Sequence, residues 1–228
     1  MIRNQGKPQV TVLICTLNEA ENLPYVLPRI PGWVDDVVIV DGRSTDGTVG
    51  VARMLRPSAR VLFQQGRGKG DALRFGVREA NGDIIVTLDA DGETDPVDLP
   101  TFVQAIQCGY DFAKGSRLAH GRPLRMPFYR WVGNKILAMT FNLLYGTRFT
   151  DVCSGYVAFR KVSFLRLQLT YDNCEMEQQM LARARKLGMA MVEVPHHSDG
   201  RIAGASKVSG IRQGLIDWLV ILKERFLQ

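Results

Sequence analysis

An α/β fold, with a mostly parallel sheet flanked by helices on both faces, is predicted by two features of the sequence. Short β-branched apolar runs alternate with helix-like segments, and those runs are apolar throughout rather than alternating in polarity. The first run is Val10-Thr11-Val12-Leu13-Ile14, which reads as a buried strand. A helix is expected over Asn18–Ile30, with Glu19 and Glu21 placed in its first turn to complement the dipole. Val37-Val38-Ile39-Val40 is the second strand and ends in Asp41-Gly42. Ser44-Thr45-Asp46-Gly47-Thr48 then opens another helix with capping residues. Arg60–Gln64 reads as a third strand, Asp71–Ala80 as a helix and Asp83–Leu88 as a fourth strand.

The bulk numbers set limits on class. A chain of 228 residues suits one α/β domain with a real core. No apolar run reaches the roughly 18–20 residues needed to span a bilayer. Met1–Val10 lacks the apolar centre of a signal peptide, so the expectation is a cytoplasmic protein, in contact with the membrane only peripherally. The four cysteines, Cys15, Cys108, Cys153 and Cys174, form no Cys-x-x-Cys pair, and His196-His197 are adjacent and would point to opposite faces of a strand. A thiol or imidazole metal site is not expected.

The net charge of +6 is unevenly spread. From Phe112 to Thr150 there is no Asp or Glu, while seven Lys and Arg fall there, so the rest of the chain is close to neutral. One surface is built to meet anions. This reading makes residues 112–150 a basic, amphipathic segment, with Phe112–Tyr145 lying on the surface as an insert. Residues 210–228 form a final amphipathic helix. Leu124–Tyr145 and Ile211–Phe226 each mix cations with aromatic and aliphatic side chains, a pattern that suits a helix lying in a membrane interface and equally one covering the core or a second copy.

The strongest chemical signal is Leu88-Asp89-Ala90-Asp91-Gly92-Glu93. The strand before it delivers two carboxylates, two residues apart, to one side of its exit. Such hard oxygen ligands suit Mg²⁺ or Mn²⁺ with positions left for diphosphate oxygens, and Glu93 is a third candidate ligand. A solvated acidic turn would look the same. Cys15-Thr16-Leu17-Asn18-Glu19 and the Asp41–Thr48 run offer polar groups and helix-start amides at neighbouring strand ends, where nucleotides dock in open α/β sheets. Gly66-Arg67-Gly68-Lys69-Gly70 adds a basic loop, but no Ser or Thr follows Lys69 as in a phosphate-binding Walker loop, and no Gly-x-Gly-x-x-Gly follows the first strand. Glu175 and Glu177 read as dipole partners at the start of a helix ending at Lys186.

These residues occur in the order of a known family. The sequence resembles the family 2 glycosyltransferases of the GT-A, Rossmann-like fold, and among them the dolichyl- or polyprenyl-phosphate mannose synthase group. The similarity runs from Val10 to about Lys207 and includes Gly115-Ser116-Arg117, Phe128-Tyr129-Arg130, Asp151-Val152-Cys153-Ser154-Gly155, Glu193-Val194-Pro195 and Arg201 with Gly204, Ser206 and Lys207. It implies a nucleoside held by Thr16, Asn18, Glu19 and Asp41, with Lys69 and Asp89 also at the nucleotide. It further implies a metal, Mg²⁺ or Mn²⁺, on Asp89, Asp91 and Glu93, an acceptor phosphate on Arg117 and Arg130, and a donor diphosphate on Arg201 and Lys207. The expected reaction moves a hexose, mannose or glucose, from a GDP- or UDP-sugar to a polyprenyl or dolichyl phosphate with inversion. If the acceptor is instead a hydroxyl, a base is needed, and Asp151 is the candidate. Arg117 and Arg130 lie within the stretch free of carboxylates, so neither is expected to have a local acidic partner. Two enzymatic rivals are a family 2 enzyme with a non-lipid acceptor and a sugar nucleotidyltransferase. A nucleic-acid-binding module is disfavoured, because Asp41, Asp89 and Asp91 would repel phosphate without a metal. A homo-oligomer fits the amphipathic helices as well.

Overall fold

The computed structural model describes residues 7–123, 125–205 and 209–226. Lys207, expected at the donor diphosphate, lies outside the described residues, as do Ser206, Leu124, Met1–Gly6 and the last two residues of the chain.

Seven strands form one mixed sheet: β1 (Val10–Thr16), β2 (Asp36–Asp41), β3 (Arg60–Phe63), β4 (Ile84–Asp89), β5 (Phe112–Ser116), β6 (Val157–Arg160) and β7 (Met191–Pro195), in the order β3-β2-β1-β4-β6-β5-β7. β1 to β4 pair in parallel, as their uniformly apolar runs require, and β5 pairs β7 in parallel. β6 runs antiparallel to both β4 and β5. The helices are α1 (Leu23–Val26), α2 (Thr48–Leu55), α3 (Lys69–Glu79), α4 (Leu99–Gln107), α5 (Phe128–Tyr145), α6 (Lys161–Leu165), α7 (Met176–Lys186) and α8 (Gly210–Phe226).

One face of the sheet is covered by α1, α2 and α4, which bury Leu23, Val26, Ala52, Phe102 and Ile106 against Val12, Ile14, Ile39 and Val86. The other is covered by α3, α6 and α7, where Leu73, Val77, Phe164 and Met180 meet Leu13, Val38 and Phe159. α5 and α8 pack on each other and on α7 through Phe141, Tyr145, Leu181 and Ile221. These two faces alone bury the large aliphatic set at about 25 cal/mol per Å² of apolar surface.

Three expectations change. The helix expected over Asn18–Ile30 is one short turn, α1, followed by a 3₁₀ turn at Leu27–Arg29. Pro24 and Pro28 each remove a backbone donor, so no longer helix can run through them. The helix expected from Ser44 begins at Thr48, with Asp46 Oδ1 accepting from the Thr48 amide. Phe112–Tyr145 is not a surface insert: Phe112–Ser116 is fully buried strand β5 inside the sheet, and only the part from Phe128 onward is a helix at the surface.

Candidate active site

The parallel strands set the site, because their carboxyl ends come out at one edge. The register pairs Thr16 with Asp41 and Cys15 with Asp89, so three loops leave the sheet side by side. The first two brace each other. Asp41 is 1% exposed; its carboxylate accepts from Thr16 Oγ1 at 2.9 Å, Ser44 Oγ at 2.6 Å and the Ser44 amide at 2.8 Å. Asn18, in a left-handed conformation, accepts from the Thr45 amide, and Ser44 Oγ accepts from the Asn18 amide. Of the four residues expected on the nucleoside, Thr16 and Glu19 line a cavity of about 1260 Å³, together with Gly42, Arg43 and Gln64. Asp41 and Asn18 do not line it; their hydrogen bonds tie together the loops that do.

Asp89 and Asp91 open onto the same cavity. Lys69, from the first turn of α3, places Nζ 2.6 Å from Asp89 Oδ1 and 2.8 Å from Glu177 Oε1. Burial opposes the charged form of Asp89, but the Lys69 ammonium outweighs it and lowers the carboxyl below its ordinary range. Asp91 moves the other way, pushed up to about 6 by burial and then by the charges of Asp89 and Glu93. Gly155 touches this pair so closely that a Cβ there would strike Asp89 and come within 2.8 Å of Lys69 Nζ.

Asp89 and Asp91 are hard oxygen donors at one strand end that open onto the same cavity, so the pair fits a divalent cation. Glu93 does not join them. It accepts from Arg117 Nη1 and Ser198 Oγ, each at 3.2 Å, and among the described residues no three carboxylates, histidines or cysteines converge.

A strap over residues 196–205 crosses the motif. The Ile202 amide donates to the Asp91 carbonyl, and Arg201 reaches Glu19 at 2.6 Å and Asp91 at 3.6 Å. Asn22, which is 2% exposed, fastens the strap by donating to the Ala203 carbonyl and accepting from its amide. Arg201 thus lines the cavity beside Asp91.

A second cavity, of about 890 Å³, opens between α5 and α8 and shares Lys69, Asp89, Asp91 and Arg201 with the first. Arg130 lines it and is exposed. Arg117 lines it too, but the expectation that it lacks an acidic partner is overturned. Its Nε donates to Asp151 Oδ2 at 2.7 Å, its Nη2 to Asp151 Oδ1 at 3.2 Å, and its Nη1 to Glu93. Asp151, 0% exposed, is equally displaced from its expected role as base. Burial alone would raise its carboxyl, yet the Arg117 guanidinium holds it well below the carboxylate range, and both oxygens are occupied.

Sequence reasoning missed four buried polar residues here. Glu177 was read as a first-turn acid, but it pairs with Lys69. Lys114, wholly buried on β5, donates to the Ser154 carbonyl, and burial pushes its ammonium below the ordinary value. Gln178 and Asp217 line the second cavity from α7 and α8. A lysine inside an apolar strand was a readable signal; the other three are ordinary helix residues until the chain is folded.

Comparison with known proteins agrees with this architecture. The profile described as Glycosyl transferase family 2 matches residues 11–167. The chain is 34% identical to "Glycosyltransferase AglJ" of Haloferax volcanii, over 94% of this chain and 71% of that one. It is 32% identical to "Undecaprenyl-phosphate mannosyltransferase" of Micrococcus luteus, over 89% and 88%. A glucosyl-3-phosphoglycerate synthase from Mycobacterium tuberculosis, solved with Mn²⁺, UDP and glucosyl-3-phosphoglycerate, superposes with a TM-score of 0.73 at 20% identity, over 96% of this chain and 80% of that one. With a sheet that ends in paired carboxylates, a family match along most of its length and relatives of this kind, the chain belongs to the family 2 glycosyltransferases.

Proposed function

We propose that the protein transfers a hexose, mannose or glucose, from a GDP- or UDP-sugar to a polyprenyl or dolichyl phosphate at the membrane surface, aided by Mg²⁺ or Mn²⁺. The observation that carries this reading is the meeting of two unlike cavities at Asp89-Ala90-Asp91. The polar one, walled by Thr16, Glu19, Gln64 and Lys69, suits a nucleotide. The other, walled by Ile136, Leu137, Leu215 and Trp218 and also lined by Arg130, suits an isoprenoid chain with a phosphate head.

Asp89 and Asp91 would hold the metal, which neutralises charge growing on the leaving diphosphate. Arg201, tied to Glu19 across the strap, stands beside that position as a fixed cation. A phosphate acceptor is already ionised at neutral pH and needs no base. This agrees with the state of Asp151, whose carboxylate is consumed by Arg117. Arg130, exposed where it lines the second cavity, is a guanidinium suited to the acceptor phosphate, in a geometry that lysine does not fully reproduce.

The test is a panel of nucleotide sugars with Mg²⁺ or Mn²⁺, with and without polyprenyl phosphate. The expected result is release of a nucleoside diphosphate, stimulated by the lipid phosphate, with a glycolipid product. Pyrophosphate as product, or transfer only to soluble hydroxyl acceptors, would overturn the reading.

A further inference from the structure

Lys114 is wholly buried on β5, a strand whose other side chains are small or apolar. The hydrogen bond it makes among the described residues is to the carbonyl of Ser154. Burial works against its charged form more than the carboxylates of Glu177 and Asp151 favour it. A long polar side chain kept dry in a sheet needs a reason beyond packing, since an apolar residue of similar length would fill the space without that penalty. The reason lies in the segment that Ser154 begins. The Ser154 hydroxyl donates to His196 Nε2 at 2.9 Å, and both side chains are buried. His196 Nδ1 faces the His197 carbonyl at 2.9 Å, which fixes a proton on Nδ1 and leaves Nε2 to accept. The next carbonyl, that of Gly155, accepts from Thr87 Oγ1 at 2.7 Å. Lys114 on β5, Thr87 on β4 and His196 just after β7 therefore hold one bend of the chain by three separate bonds.

That bend reaches the strand-end carboxylate. Gly155 lies so close to Asp89 that a Cβ would stand 2.3 Å from Oδ2, while Lys69 Nζ is 2.6 Å from Oδ1. Asp89 is thus confined between an ammonium on one oxygen and backbone against the other. We infer that Lys114 is a positioning residue of the transferase: through the Ser154 carbonyl it seats the Ser154–Gly155 bend against Asp89 and so sets how that carboxylate meets the metal and the donor diphosphate. The inference rests on the reading of Asp89 given above. Lys114 lines neither cavity, so it acts through the bend and not by touching a substrate. Thr87 holds the same bend by its next carbonyl and carries no charge. It therefore separates the hold on the bend from the field of an ammonium.

The experiment compares wild type with Lys114→Met, Thr87→Val and the two changes together. Calorimetry follows UDP and GDP in the presence of Mn²⁺, and electron paramagnetic resonance follows Mn²⁺ alone. Ser163→Ala is the control for lost stability, because it removes a buried hydroxyl that donates to Asp111 at 2.6 Å and lines neither cavity. Each single variant should weaken the better-bound nucleoside diphosphate roughly tenfold. The double variant should lose little more than the worse single one, because the same bend is released only once. Ser163→Ala should melt at a lower temperature and bind as wild type does. Should Lys114→Met not fold, Lys114→Gln, shorter but still a donor, enters the same cycle, with a smaller loss and the same lack of additivity expected. Losses that simply add, or a Thr87→Val protein that binds as wild type does, overturn the inference. So does a Lys114 variant that only melts earlier, as the control does. Tighter Mn²⁺ binding in Lys114→Met alone also overturns it, since the charge and not the bend would then act on Asp89. A wild type that binds UDP or GDP with Mn²⁺ yet transfers no hexose to polyprenyl phosphate defeats the proposed function and leaves this inference standing; one that binds neither overturns both.

Discussion

At the residue scale, the two acceptor arginines separate. Arg117 is 12% exposed at its side chain and neutralises Asp151, which has no exposure at all. Removing it leaves a buried carboxylate without its cation, a change that costs about 3–5 kcal/mol. Arg117→Ala should therefore lower the melting temperature by roughly 6–20 °C in a chain of this size, and a scanning calorimeter reads it directly. Arg130 is exposed and has no such duty among the described contacts, so Arg130→Ala should leave the melting temperature within a degree or two, about the scale of a surface change. It should still weaken use of polyprenyl phosphate by about 1.5–3 kcal/mol in kcat/KM. Asp217 makes a prediction of the opposite sign. Its carboxyl is pushed up to about 7, chiefly by burial, from an ordinary value of 3.8. Above about pH 4 the unfolded chain gains from ionising it while the folded chain does not, so stability falls as pH rises from about 4 to about 7 and then levels. Asp217→Asn should accordingly raise the melting temperature at pH 8 and leave it unchanged at pH 3.5. Equal melting curves at both pH values would show that the carboxyl titrates normally.

At the scale of the element, function turns on how closely loops approach the strand ends. Gly155, between Ser154 and β6, leaves no room for a methyl group beside Asp89 and Lys69. Gly155→Ala should displace that ion pair and cut donor affinity by tenfold or more, with the circular dichroism spectrum unchanged, since the clash involves flexible side-chain ends rather than the sheet. The elements also explain what could be read from the sequence. The placing of Asp89 and Asp91 at a strand exit was legible because the apolar, mostly β-branched run Ile84–Leu88 fixes where a parallel strand stops. β1 to β4 were legible for the same reason. β5 was hidden within a larger segment: Lys114 and the acid-free stretch after it gave Phe112–Tyr145 one charge signature, although the first five residues are a wholly buried strand and α5 buries only one side, with Leu137, Phe141 and Tyr145. Glu177 failed for a different reason, since a first-turn acid satisfying a helix dipole and one paired with a distant lysine have the same local sequence. Arg117 and Asp151 stand 34 residues apart, so their pairing is a product of the folded sheet edge and carries no local signal.

At the scale of the whole molecule, the question is what covers the outer side of α5 and α8. Among the described residues no helix is long and apolar enough to cross a membrane. Yet Tyr129, Ile136, Met139 and Leu143 form an exposed stripe at helical spacing along α5, and Ile211, Leu215 and Leu219 form another along α8. Arg130, Lys135, Arg212, Lys223 and Arg225 lie on the same two helices. Basic and apolar side chains mixed in this way suit a helix lying in the headgroup region, and the cavity between the two helices would then open toward the lipid that it is proposed to accept. Leu143 is 84% exposed and Met139 66%, and neither lines the cavity, so a charge placed on them reports on the surface alone. The protein should float with anionic vesicles at low salt and lose most of that binding at about 1 M salt, where the screening length falls to ~3 Å. Met139→Glu and Leu143→Glu together should abolish flotation and slow transfer to polyprenyl phosphate held in vesicles. They should leave the affinity for the nucleotide sugar unchanged. If the wild type stays in solution with every vesicle and the same double variant converts a dimer to a monomer on a sizing column, the stripe is the contact with a second copy of the chain, and the lipid must reach the second cavity without help from this face.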